Sequence, residues 1–168
     1  MTQSEFWEFS VTLYALPGVA EHCLRLQNDH GLDVNLLLFC IWYGRQFGEV
    51  PEALLDDALS LSDQWRNEVV NPLRTVRTQM KKNTELAESF ADSGYRELRE
   101  AIKRVELESE RVQQDKLEKL ATNHLGQGEK AKASAAAANL KTLCEKLGLT
   151  TSQWQVHGDA IVSASENL

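Results

Sequence analysis

An all-α fold is what this sequence predicts, and three observations predict it. Apolar residues recur at steps of three and four over most of the chain; the longest apolar run, Leu36 to Tyr43, is dominated by leucine rather than β-branched residues; and no segment carries a strand pattern. Turn residues divide the pattern into about six to eight helices. At 168 residues, with 42% hydrophobic and 26% charged residues, the chain suits one domain over 1–168 with a sizeable core. The segment DVNLLLFCIWYGRQFG, Asp33 to Gly48, sets the centre of that core. Eight successive apolar or aromatic residues leave no polar face, so a helix over 33–47 belongs inside a bundle. Asp33 is positioned to cap its first N–H groups and Gly48 to stop it.

Taken in order, Ser4 caps a first helix carrying Phe6, Trp7, Phe9, Leu13 and Leu16. Pro17 then suits the first position of a second helix, in which Val19, Ala20, Cys23, Leu24 and Gln27 share a face until the Asn28-Asp29-His30-Gly31 turn. Past the central helix, Pro51 opens a long tract with Leu54, Ala58, Leu61, Trp65, Val69, Leu73, Val76 and Met80 in register. Pro72 falls inside it. The ring removes one backbone bond and crowds the carbonyl four residues back, which predicts a kink near Asn71 that leaves the apolar phase intact.

Thr84 opens a further segment that Ser93-Gly94 breaks, and a long charged helix runs from Tyr95 to about Leu125. Leu98, Ile102, Val105 and Val112 form its expected buried seam, with Ser109 in the gap, and Glu100–Arg104 and Asp115–Lys119 are spaced as helical ion pairs. Gly126-Gln127-Gly128 is the most linker-like stretch. The Ala-rich segment from Glu129 to Leu147 follows, with Ala136, Leu140, Leu143 and Leu147 as its stripe and alanines small enough for two backbones to approach. Thr150 with Gln153 has capping-box spacing and starts a last, peripheral helix within 149–168, carrying Trp154, Ile161 and Ala164 and weakened by Gly158.

Charge and composition exclude several classes. With 18 basic and 25 acidic residues the net charge is −7, which repels nucleic acid and anionic membrane unless a basic patch is segregated. Three cysteines, widely spaced and with no CxxC, give no disulfide framework and suggest reduced, buried thiols. The acidic start, the lack of a span of about 20 apolar residues and this thiol usage point to the cytoplasm.

Catalytic and metal chemistry find little support. The histidines, His22, His30, His124 and His157, show no metal-ligand spacing, so no metal site is expected. Paired carboxylates on helices can hold magnesium and a diphosphate, as in isoprenoid synthases. Here Asp56-Asp57 point about 100° apart on a helix, and Asp29 and Asp33 straddle a turn, so neither pair converges on one ion. No GxSxG elbow, phosphate loop or dinucleotide fingerprint is present, and Cys40 lies in the most apolar run, where a thiolate is disfavoured. No catalytic residue and no cofactor is expected.

Two surface readings remain. Arg66, Arg74, Arg77, Lys81 and Lys82 are basic, with no acid between Pro72 and Asn83, and Arg74, Arg77 and Lys81 share one helical face. That face is either an ordinary solvated one or a docking patch for an acidic partner or a phosphate backbone. The helix-Gly-helix spacing around Gly148 fits a helix-turn-helix, but SQWQVHGDAIV contains no Lys or Arg, which argues against DNA reading.

The segments LDVNLLLFCIWYG at 32–44, WRNEVVNPLR at 65–74, LREAIKRVELESERVQQ at 98–114 and ANLKTLCEKLG at 138–148 together resemble a small family of gammaproteobacterial proteins that constitutes a domain of unknown function. The resemblance runs from about Phe6 to Gly148. It implies a bacterial, cytoplasmic, helical protein and carries no activity or site residue across. The sequence therefore leads to a non-enzymatic interaction or adaptor protein whose partner is another protein, working through the basic face or the long charged helix, with a homodimer left open. Nucleic-acid or ribonucleoprotein binding through the same basic face is the alternative, and a small-ligand or isoprenoid-type site in the bundle is third.

Overall fold

The computed structural model describes residues 4–91, 93–124, 134–166 and 168, and its helices form where the periodicity places them. They are α1 (Glu5–Tyr14), α2 (Val19–His30), α3 (Val34–Phe47), α4 (Glu52–Trp65), a π-helical turn (Arg66–Val70), α5 (Asn71–Lys82), α6 (Thr84–Ser89), α7 (Tyr95–Asn123), α8 (Ala135–Lys146) and α9 (Thr151–Ser165). Because α4, the π turn and α5 follow without a break, eight continuous helices and no strand are found among the described residues. The expectations placed on Leu125, on Gly126-Gln127-Gly128 and on Glu129 lie outside those residues. The chain packs as two units, one formed by residues up to Leu59 with those from Gln114 onward, the other by Ser60–Gln113.

In the first unit α3 is the buried centre that its composition requires. Every residue from Asn35 to Gly44 is buried, Asp33 Oδ1 accepts the Asn35 N–H at 2.9 Å, and Gly48 leaves the helix with a φ of 100°. Phe6 of α1 packs edge-on against Phe39 and lies 5.1 Å from Trp42, which joins the first helix to the third through aromatic rings. Ser4 Oγ accepts the Trp7 N–H, as its capping position predicts. Glu118 on α7 adds to that cap by accepting the Ser4 hydroxyl and the Glu5 N–H.

In α2 and α8 the residues buried differ from those expected. In α2 the helix starts after Pro17, at a Gly18 with φ of 82°, and buries Val19, Cys23 and Leu26 while Leu24 is exposed. In α8 the stripe is Ala136, Leu140, Leu143 and Cys144, with Leu147 exposed. Leu24 and Leu147 each sit near an apolar neighbour that fits the same turn, and helical spacing alone does not choose between such neighbours. The last helix starts as its capping box predicts, with Thr150 N–H donating to Gln153 Oε1 at 2.8 Å.

The contact of α3 with α8 depends on small residues. A Cβ on Gly44 would lie 2.5 Å from both Cα and N of Ala136, so the two backbones are as close as they can come. Gly158 plays a similar part in α9, where a Cβ would lie 2.9 Å from Leu140 Cδ2 and from Trp154 Cε3. The residue that weakens α9 as a helix thus lets it seat on α8. Asn139 fastens the end of α3: its Nδ2 donates to the carbonyls of Cys40 and Gly48 at 3.2 and 3.0 Å, and its Oδ1 accepts the Val50 N–H at 2.8 Å. Asn139→Leu removes three hydrogen bonds and strands the Gly48 carbonyl and the Val50 N–H, and is expected to cost about 2 kcal/mol in urea unfolding. A loss under about 0.5 kcal/mol, the range of ordinary surface changes, would show that water replaces the amide.

Candidate interaction surface

The second unit holds all five sequence-nominated basic residues. Its core is a helical hairpin, and the contacts give its direction: Ser62 pairs with Gln113, Trp65 with Ser109, Arg74 with Glu106 and Met80 with Tyr95. Rising numbers on one strand of this ladder meet falling numbers on the other, so α5 and the first part of α7 run antiparallel. The proline in the tract is accommodated by the π turn. The Asn71 N–H reaches back to the Arg66 carbonyl, five residues away, before the residue that has no N–H to give. This inserts a residue into the helical count, and Val70 rather than Val69 is buried. The expectation that the apolar phase passes Pro72 unchanged is therefore corrected.

The same shift decides the fate of the basic face. Arg74 Nε donates to Glu106 Oε1 at 3.0 Å and its Nη2 to Glu110 Oε1 at 2.8 Å. Arg77 binds Glu106 through both Nε and Nη2, the latter at 3.2 Å from Oε1. Burial pushes the Glu106 carboxyl up, but the hydrogen bonds from Arg77 and Arg74 outweigh it and hold the group below the usual carboxylate range. Arg77, through its bond to Glu106, is correspondingly raised. These two guanidiniums are thus engaged with acids of their own chain. Arg66 is half-buried, and only Lys81 and Lys82 of the nominated set are exposed.

The expected seam of α7 keeps Ile102, half-buried, and Ser109, buried, but loses its other three members. Leu98, Val105 and Val112 are 55%, 54% and 45% exposed, while Glu106, Ser109 and Gln113 are buried. Each buried polar group has a partner: Gln113 Nε2 donates to Ser62 Oγ at 2.7 Å, and the Ser109 carbonyl accepts the Trp65 indole N–H at 2.9 Å. Val70 is the one buried apolar side chain of this unit among the described residues. Glu100 pairs with Arg99 at 2.9 Å rather than following the predicted spacing to Arg104.

Elsewhere the ionisable residues are taken up separately. Asp56 Oδ1 accepts from Lys146 Nζ at 2.7 Å while Asp57 Oδ2 lies 3.7 Å from His124 Nε2, so the adjacent carboxylates do diverge. Burial pushes the Cys23 thiol up to about 12; burial and then the nearby Glu145 do the same for Cys144, and Cys40 is raised further still. Sequence spacing misses one pairing. His22 on α2 and His157 on α9 meet with their Nδ1 atoms 2.8 Å apart, a contact across 135 positions that no local motif signals. One imidazole donates there and the other accepts. Among the described residues no group of three or more His, Cys, Asp or Glu is placed to hold a metal, and no helix is long and apolar enough to cross a membrane.

Neither a curated protein nor a solved structure matches the chain. A family model, protein of unknown function (DUF2390), matches residues 5–117, ending within α7 and leaving the ANLKTLCEKLG segment outside it. Since that covers α1 to most of α7 and well over half of the sequence, the chain belongs to the DUF2390 family.

Proposed function

We propose that this protein works by binding another polypeptide through the outer face of the α5/α7 hairpin, without chemistry of its own, in the cytoplasm. The observation that carries this reading is the row Leu98, Val105 and Val112, three large apolar side chains about half exposed at a spacing of seven on one helix. An unpartnered apolar row of this kind is what partner-binding surfaces present, whereas singly scattered apolar residues carry no such meaning. The basic face is the weaker candidate for the role, because Arg74 and Arg77 are held by Glu106 and Glu110. The raised thiols and the separated carboxylates support a reading without a nucleophile or an acid pair.

The test is photo-crosslinking in living cells, with a benzophenone side chain placed at Leu98, at Val112, or at the exposed Val11 and Val156 of the first unit. Discrete protein adducts from positions 98 and 112, absent from 11 and 156, support the proposal. Equal or absent crosslinking at all four positions overturns it.

A further inference from the structure

The last helix is joined to its neighbours by a polar contact made of two groups that can each gain a proton. Nδ1 of His22 on α2 and Nδ1 of His157 on α9 lie 2.8 Å apart, and both rings are half-buried. Among the described residues this is the one side-chain hydrogen bond between α9 and another helix. The rest of the seat is mainly apolar: α9 packs on α2 and α8 and buries Trp154, Ile161 and Val162. We infer that the histidine pair is a proton-operated latch, which holds α9 while it carries at most one added proton and loosens it when both imidazoles are charged. The latch is independent of the binding role proposed above.

The contact counts protons because of where they must sit. In the neutral pair one Nδ1 donates and the other accepts, so the first added proton goes to the Nε2 of the donating ring. The bond becomes charge-assisted and keeps its geometry. A second proton must bind the accepting Nδ1, where it ends the hydrogen bond and turns two N–H groups of like charge toward each other. Once the helices separate, each ring takes its own proton.

No acid is placed to offset the second charge. One helical turn from His22 the charged residue on its own helix is Arg25, and the equivalent positions around His157 are Gln153, Trp154, Ala160 and Ile161. Glu21 and Asp29 of α2 and Asp159 and Glu166 of α9 are exposed, and among the described residues no acid forms an ion pair with either ring. On the adjoining helices Glu5 and Glu8 of α1 are exposed and Arg45 of α3 adds positive charge. On α8, Lys141 pairs with Glu145 at 3.7 Å and Lys146 with Asp56 at 2.7 Å. The thiols of Cys23 and Cys144, pushed up to about 12, stay neutral throughout.

Proton counting gives the sign. Below about pH 6.5, where free imidazoles become charged, the loosened state binds one proton more than the latched state. Loosening therefore grows as pH falls, approaching about tenfold per pH unit. Since α2 also packs on α1 and α3, α9 is the partner that moves, and its departure bares Trp154, Ile161 and Val162.

The test is hydrogen exchange of the full chain, corrected for the intrinsic pH dependence of exchange, with carbon-13 NMR of the imidazoles. Opening of α9 relative to α3 should rise about tenfold from about pH 6.5 to about pH 5. From about pH 7.5 to about pH 5, His22 and His157 together should gain about one proton where the urea-unfolded chain gains nearly two. In His22→Gln and in His157→Phe, each of which removes the pair, the rise in opening should be no more than about twofold, whatever the starting protection. Equal pH dependence of α9 opening in the wild type and both variants overturns the inference. So do two fully charged imidazoles with α9 as protected as at neutral pH.

Discussion

Replacing Gly44 by leucine is expected to be the most damaging single change in the first unit, costing about 4 kcal/mol or more. The added side chain would begin 2.5 Å from the backbone of Ala136, and backbone atoms have no rotamer through which to yield. Overpacking a close contact typically costs 1 to 3 kcal/mol, but here two helices must separate, which also opens the fit around Leu140 and Leu143. At roughly 2 to 4 °C per kcal/mol for a chain of this size, Tm should fall by about 10 °C or more. Gly148→Ala is the informative comparison, since a Cβ there meets nothing within 4 Å and the penalty comes only from its φ of 72°. That change should cost about 1 kcal/mol. If the two variants melt together, the close approach of α3 and α8 is not what holds the first unit.

Glu106→Ala should release the second unit, with an expected loss of about 3 kcal/mol. The carboxylate is buried and is the shared partner of Arg74 and Arg77, so its removal takes Arg77's hydrogen-bonded acid away and leaves both guanidiniums to the Glu110 side of the hairpin. Hydrogen exchange is the suitable readout, because protection should collapse across α5 and residues 95–113 while α3 and α8 keep theirs. Replacing all three residues by apolar ones of similar volume should recover much of the stability, as buried ion pairs cost nearly as much to desolvate as they return. The pH dependence has a definite sign. With its folded pKa lowered, Glu106 stabilises the fold fully above the unfolded carboxylate range near about 4.3, and that contribution is lost as pH falls through the lower folded value. Glu106→Gln should therefore remove part of the acid-induced loss of stability. An acid titration with the same slope in both proteins would show that the triad is not titrating there.

Periodicity was enough to locate nearly every helix, because spacing, caps and breakers are local properties. The polarity of Leu36–Tyr43 required burial on all sides, Ser4 and Asp33 had no better role than capping, and the alanines of α8 announced a close backbone contact. The candidate surface was less legible. Arg74, Arg77, Leu98, Val105 and Val112 were all visible as unusual, but on sequence grounds the arginines faced out and the apolar row faced in, the reverse of what the structure shows.

What the sequence by itself determined is the all-helical class, the segment at the centre of the first unit, and the absence of any standard catalytic or metal spacing. What tertiary structure decided is which side of each hairpin helix meets the other. On α7 two rows lie one residue apart, Leu98, Val105 and Val112 beside Glu106, Ser109 and Gln113, and either can line a seam at helical spacing. Hydrophobicity favours the first row, but only the second finds Arg74, Arg77, Trp65 and Ser62 opposite it. A charge or an amide can be buried when its partner is already in place, and the register of that partner is set across the hairpin, by a π turn before Pro72 that no local pattern specifies.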